Sequence, residues 1–149
     1  MSEPVWRRCE APGRWQMVHV HQYKAEGSAP FRDVTRQLLF AHPELACEWR
    51  YFEIGPGGHT TLERHDHRHA VMILRGAGAC LVGREVRAVR SHDLVEVPAW
   101  TWHQFRATEA SPLGFLCLVN ADRDRPCLPS EVELTELRRD PKVAAFIRC

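Results

Sequence analysis

The chain has 149 residues, enough for one domain with a sizeable core and too few for two. Its 20 Lys and Arg nearly balance 19 Asp and Glu, so no overall field draws it to nucleic acid or to an anionic membrane surface. Apolar runs are short and the first eight residues carry no apolar signal core, which together predict a cytoplasmic protein that spans no membrane.

Taken in chain order, the hydrophobic periodicity predicts strands at 16–23, 35–40, 47–54, 60–65, 69–74, 79–82, 85–89, 94–97, 103–107 and 113–120. The predicted separators are turn residues, notably Gly55-Pro56-Gly57-Gly58, Arg75-Gly76-Ala77-Gly78, Ser91-His92-Asp93 and Ser111-Pro112. Such close spacing leaves no room for crossover helices, so the expected fold is all-β with antiparallel pairing, a sandwich or barrel. Helices are predicted only at the end, after the capping-box spacing Ser130-Glu131-Val132-Glu133 and after Asp140-Pro141. They are expected to pack outside the barrel, with the polar linker 120–126 lying away from it. One domain is expected overall: N-terminal strands over 1–45 packing on the barrel or a partner, a barrel core over 46–120, and linker plus helices over 121–149.

Six cysteines stand far apart with no Cys-x-x-Cys pair, predicting free thiols. Cys47, Cys80 and Cys117 lie in apolar strand contexts and are read as small core residues, with pocket lining as the alternative.

Metal-ligand side chains concentrate at Glu63-Arg64-His65-Asp66-His67-Arg68-His69, and again at Trp102-His103-Gln104. Residues two apart in a strand share a face, so Glu63 and His65 can point inward together. A turn at Asp66-His67-Arg68 lets His69 return to the same cavity from the next strand, and His103 adds a ligand from a third. One carboxylate and three imidazoles suit one divalent transition metal (Fe, Mn, Ni, Co or Zn) better than calcium or magnesium. His67 is placed at the turn, beside the ligands. A continuous strand would instead give His65, His67, His69 and His103.

These residues resemble the cupin family over about half of the chain, from Cys47 to Asn120. Counting back from Gly76, His69 stands at the usual glutamate position of the first cupin motif, His65 at its second histidine and Glu63 at its first. Pro98 and His103 match the second motif, while His92, Trp100 and Ala107 replace its two glycines and asparagine. The resemblance implies a double-stranded β-helix, or jelly-roll, barrel. It leaves the activity open, because cupins include oxygenases, isomerases, lyases and binding proteins.

Phe105 and Trp102 are candidates for an apolar wall around the metal, and Glu96 for an acid or base if it faces inward. The functional expectation is a metal-dependent dioxygenase acting on a small organic molecule. The alternatives are an isomerase or lyase, and a non-catalytic metal- or sugar-binding sensor. The apolar face opposite His69, with Ala70, Met72 and Leu74, requires a cover. By the resemblance, a homodimer is expected.

Overall fold

Apolar residues alternating with polar ones suit strands with one face in a core, and the computed structural model, which describes residues 3–149, is built mainly from such strands. A hairpin of β1 (Cys9–Ala11) and β2 (Arg14–Trp15) comes first. It is followed by β3 (His21–Gln22), β4 (Arg32–His42), a 3-10 turn (Pro43–Leu45), β5 (Cys47–His59), β6 (His69–Val82) and β7 (Glu85–Arg90). Then come β8 (Leu94–Val97), β9 (His103–Ala107), β10 (Leu113–Asn120), α1 (Glu131–Leu137) and α2 (Pro141–Phe146). Every ladder is antiparallel, as the short connections require. Because β9 and β10 each bond to both β5 and β6, these four strands close a barrel.

The strands predicted at 69–74 and 79–82 are one strand, β6, and the intervening Gly76 explains why. Its φ of +74° and a would-be Cβ only 1.7 Å from the Pro112 carbonyl oxygen leave room for glycine alone where β6 bends past the β9–β10 loop. Gly55-Pro56-Gly57-Gly58 likewise lies inside β5, whose register against β4 breaks between Arg32 and Val34, rather than ending the strand. The segment 60–65 forms no strand; Glu63 and Arg64 make only isolated bridges, to His103 and Cys127. Of 16–23 only His21–Gln22 is strand, and the β1–β2 hairpin went unread because its strands are two or three residues long.

One cluster fills the barrel, with Phe52, Phe105 and Phe115 stacked at centroid distances of 5.4 and 4.6 Å. A second lies under the helices, where Leu134, Leu137, Val143 and Phe146 cover Leu62 and Leu81. Each such side chain contributes about 1.5–3 kcal/mol by leaving water. Both helices start at the predicted caps, Ser130 in a full capping box and Asp140 before Pro141.

The linker after β10 departs from the expectation that it lies away from the barrel. Ala121 N–H donates to the Ala46 carbonyl (3.0 Å), Arg123 pairs with Glu48 (2.9 Å) and Cys127 exchanges backbone hydrogen bonds with Arg64. Its polar residues find partners on the barrel rim, so it is strapped there. Among the described residues no helix is long and apolar enough to cross a membrane.

Candidate metal centre

Three loops and strand starts converge at one end of the barrel. His69 opens β6 and His103 opens β9, while His65 lies in the connection between β5 and β6. Reciprocal backbone hydrogen bonds between Glu63 and His103 (3.2 and 3.0 Å) fix that connection against β9. The three rings lie 4.6 Å (His65–His69), 4.8 Å (His65–His103) and 5.2 Å (His69–His103) apart. One nitrogen from each falls within 4.8 Å of the other two.

Hydrogen bonding orients the rings. Nδ1 of His65 meets the His67 carbonyl at 2.7 Å and Nδ1 of His103 meets the Thr101 carbonyl at 2.9 Å. A carbonyl can only accept, so both Nδ1 atoms carry the proton and both Nε2 atoms keep a lone pair. His69 Nδ1 faces the Cys117 thiol at 3.4 Å. Nε2 of His65 and of His69 are buried without any hydrogen-bond partner, an arrangement that costs free energy unless something binds them. Burial, reinforced by the neighbouring imidazoles His103 and His67, pushes His65 down to about 4. Burial likewise pushes His103 down to about 4 and drives His69 lower still. Three neutral imidazoles with converging lone pairs fit a divalent transition metal.

Glu63 is buried and lines the same small cavity as His69, His103 and Phe105, but its carboxylate is ion-paired with Lys24. The chain bends at Asp66 and His67, so the continuous strand that would align four side chains does not form. His67 instead stacks on His65, ring on ring at 3.6 Å and 2°. Its Nδ1 lies 2.7 Å from Asp124, whose carboxylate also accepts from the backbone N–H groups of Asp66 and His67. Those N–H groups and His67 hold the Asp124 carboxyl well below the usual carboxylate range.

Trp102 lies outside the cavity. Just before β9, it turns toward the helices, where Arg64 covers its ring at 4.4 Å and Leu62 and Leu81 pack nearby. Glu96 is on the outer face of β8, exposed and paired with Arg68, so the inward acid or base does not materialise.

Residues in or beside the cavity that the sequence did not mark as site residues include Tyr23, Lys24 and Arg50, and Cys117 takes the alternative role of pocket lining. Tyr23 and Lys24 arrive from the segment after β3, where the Tyr23 ring packs edge-on against Phe31 and Phe52. Arg50 and Cys117 are paired in the β5–β10 ladder and face inward together, with the guanidinium 3.6 Å from the thiol and 4.9 Å from the Phe52 ring. Cys117 is thus the cysteine that lines the pocket, and burial raises its thiol above the ordinary value. The alternation Leu113, Phe115, Cys117, Val119 was the available signal. The free volume beside His69 and His103 is about 20 Å³, room for an ion or a single water.

The cupin domain family matches residues 50–119. Over 142 residues the chain is 58% identical to a 1-methylthio-D-xylulose 5-phosphate methylsulfurylase of Rhodospirillum rubrum, a match covering 95% of this chain and 91% of that protein. A cupin 2 conserved barrel domain protein from Rhodopseudomonas palustris has 59% identity and a TM-score of 0.93, with 97% of this chain and 100% of that one covered. A 5-nitrosalicylic acid 1,2-dioxygenase of Bradyrhizobium sp is 36% identical over 66 residues, which is 44% of this chain and 31% of that protein.

Proposed function

Since the chain belongs to the cupin family, we propose that it is a metal-dependent enzyme removing the methylthio group from 1-methylthio-D-xylulose 5-phosphate or a close analogue. His65, His69 and His103 hold the ion. The observation that carries this reading is the Cys117 thiol in contact with His69 inside the cavity. Transfer of a sulfur group requires a nucleophilic sulfur; burial raises the Cys117 thiol, so the nucleophile is the thiolate formed against the Arg50 guanidinium and the His69 Nδ1 that face it. The 58% identity to the Rhodospirillum rubrum protein, over 95% of this chain, supports the substrate.

In the substrate the methylthio sulfur is bonded to C1, next to the C2 carbonyl. The Cys117 sulfur attacks the methylthio sulfur and forms a disulfide bond. The C1–S bond breaks and its electron pair passes toward the carbonyl. The proton given up by the thiol is balanced by one delivered to C1, leaving a 1-deoxy ketose phosphate. A small thiol then attacks the mixed disulfide and departs carrying the methylthio group, which restores Cys117. The cysteine is oxidised in the first half and reduced in the second. A divalent ion, when bound, supplies Lewis-acid polarisation of the carbonyl.

Arg50 supports an anionic substrate. Its Nε is buried without a partner, and among the described residues no carboxylate lies within ion-pair distance of its guanidinium. An inward guanidinium with no counter-ion is stabilised by a bound anion. Because the free volume beside the histidines is small, the substrate enters by displacing the Tyr23 ring that lines it, with Lys24 kept on Glu63.

The test is to incubate metal-loaded protein with this substrate, with and without excess glutathione. The expected products are a methyl ketone signal in proton NMR and, without added thiol, Cys117 heavier by one methylthio group. Full turnover by Cys117→Ser would defeat the mechanism. The dioxygenase expectation retains one support, the match to the nitrosalicylate enzyme, and oxygen uptake with a substituted salicylate would favour it instead.

We also infer a homodimer. Phe40 is opposite Trp49, Trp49 opposite Leu118, and Leu118 opposite Ala70, while Leu116, Met72 and Leu94 form a parallel row. These rows make an apolar outer face across five strands, and a second copy presenting the same face covers it.

A further inference from the structure

Glu63 stands where a carboxylate could complete the histidine set, and its backbone is anchored directly opposite His103. Yet ligand atoms lie mutually within 4.8 Å in two groups among the described residues, His65 with His69 and His103 and His65 with His67 and Asp124, and neither includes Glu63. The Glu63 carboxylate is taken up by the ammonium of Lys24, and the two side chains are 7% and 22% exposed, so the pair is largely withdrawn from water. Lys24 is no loose surface lysine. β3 pairs with β4, Tyr23 N–H donates to the Val34 carbonyl (3.2 Å), and the Tyr23 ring is wedged between Phe31 and Phe52. The lysine stem that follows is thereby aimed into the barrel mouth, with its Nζ 5.1 Å from the Tyr23 ring.

We infer that Lys24 holds Glu63 out of the ligand set, so that the protein offers the metal three imidazoles and no carboxylate. The inference rests on the assignment of the three histidines above. Moving Glu63 to the ion would leave a mostly buried ammonium unpaired, and would leave it facing a dication at close range. Both effects oppose the move. An ion held by the three imidazoles alone would keep one more position for substrate oxygens than one also bound by Glu63, which suits a hydroxyketone with two neighbouring donors. Glu63 then serves as the counter-ion of Lys24, and Lys24 is a positioning residue acting through Glu63.

A double-mutant cycle read by cobalt(II) binding tests this without any turnover. Titration calorimetry gives the dissociation constant, and visible absorption of the bound cobalt reports the coordination number. The proteins are the full chain, Lys24→Met, Glu63→Gln and the double variant, with His65→Ala as the control for loss of the site. The expected result is that Glu63→Gln alone weakens binding only modestly, through the ammonium left unpaired near the ion, and far less than His65→Ala. Lys24→Met should tighten binding about tenfold, the scale on which neighbours of metal ligands act, and weaken the visible bands as a further ligand joins. Both changes should vanish in the double variant, and Lys24→Arg should behave as the parent chain.

Glu63→Gln weakening cobalt binding as severely as His65→Ala would overturn the inference, since the carboxylate would then already be a ligand. Unchanged affinity and spectrum in a folded Lys24→Met would overturn it too. Should Lys24→Met fail to fold, the Glu63→Gln comparison decides alone. A parent chain that binds no cobalt removes the histidine assignment as well, which separates that failure from failure of the lysine contact.

Discussion

Acidification of the metal-free protein should unfold it through the histidine cluster. His65 and His103 have folded values of about 4 against an ordinary value of 6.5, with burial as the first cause in both. Their folded values lie below the unfolded ones, so the unfolded chain takes up protons first as pH falls. Stability is therefore intact above pH 6.5 and is lost between 6.5 and 4, where the loss levels off. Between pH 7 and pH 5 each histidine costs about 2 kcal/mol, so the pair costs about 4 kcal/mol. That is a large share of the roughly 5–15 kcal/mol that holds a domain of this size together. His69 and His59 are lowered by burial as well and act in the same direction. Asp124 and Glu133 are held down instead, so their contributions disappear only below the ordinary carboxylate range and leave this window untouched. The assay is urea unfolding of chelator-treated protein followed by tryptophan fluorescence at pH 7, 6 and 5. The parent should lose stability steeply, while His65→Asn with His103→Asn should flatten the dependence. A flat profile in the parent, or an unchanged slope in the double variant, would refute the reasoning. Added metal should displace the fall to lower pH, since it binds only the neutral rings.

Other substitutions separate the site from its surroundings. Asp124→Asn should lower metal affinity about tenfold in titration calorimetry with little change in melting temperature, because it loosens the His67 ring stacked on His65. Trp102→Ala should do the reverse, costing about 3 kcal/mol in urea unfolding while leaving metal occupancy by mass spectrometry intact, since that ring packs toward the helices. Gly76→Ala should abolish soluble expression, because its Cβ would overlap the Pro112 carbonyl. Met72→Glu with Leu94→Glu should give a monomeric mass in light scattering without loss of metal, and a parent chain already monomeric would remove the dimer.

The barrel and the histidine cluster at its end were legible because both are written locally. Period-two alternation marks a half-buried strand wherever it falls, so the strand positions of β7 to β10 follow from a few residues each. The pairing of Ser130 with Glu133 and of Asp140 with Pro141 marks helix starts in the same local way. Glycine misled because the same residue serves a turn and a bent strand, and only the approach of Pro112 to Gly76 tells which.

What needed the tertiary structure is everything brought in from afar. Lys24 reaches Glu63 across 39 positions, Asp124 reaches His67 across 57, and Cys117 reaches His69 across 48. No periodicity links such residues; closure of the barrel does. The sequence by itself determined the strands and the local crowding of histidines, since alternation and spacing depend on neighbours alone, and the resemblance of that spacing to the cupin motifs implied the barrel. The fold decided that a thiol and a guanidinium share the cavity with the histidines and that a lysine claims the carboxylate, because proximity across strands is set by register and by closure.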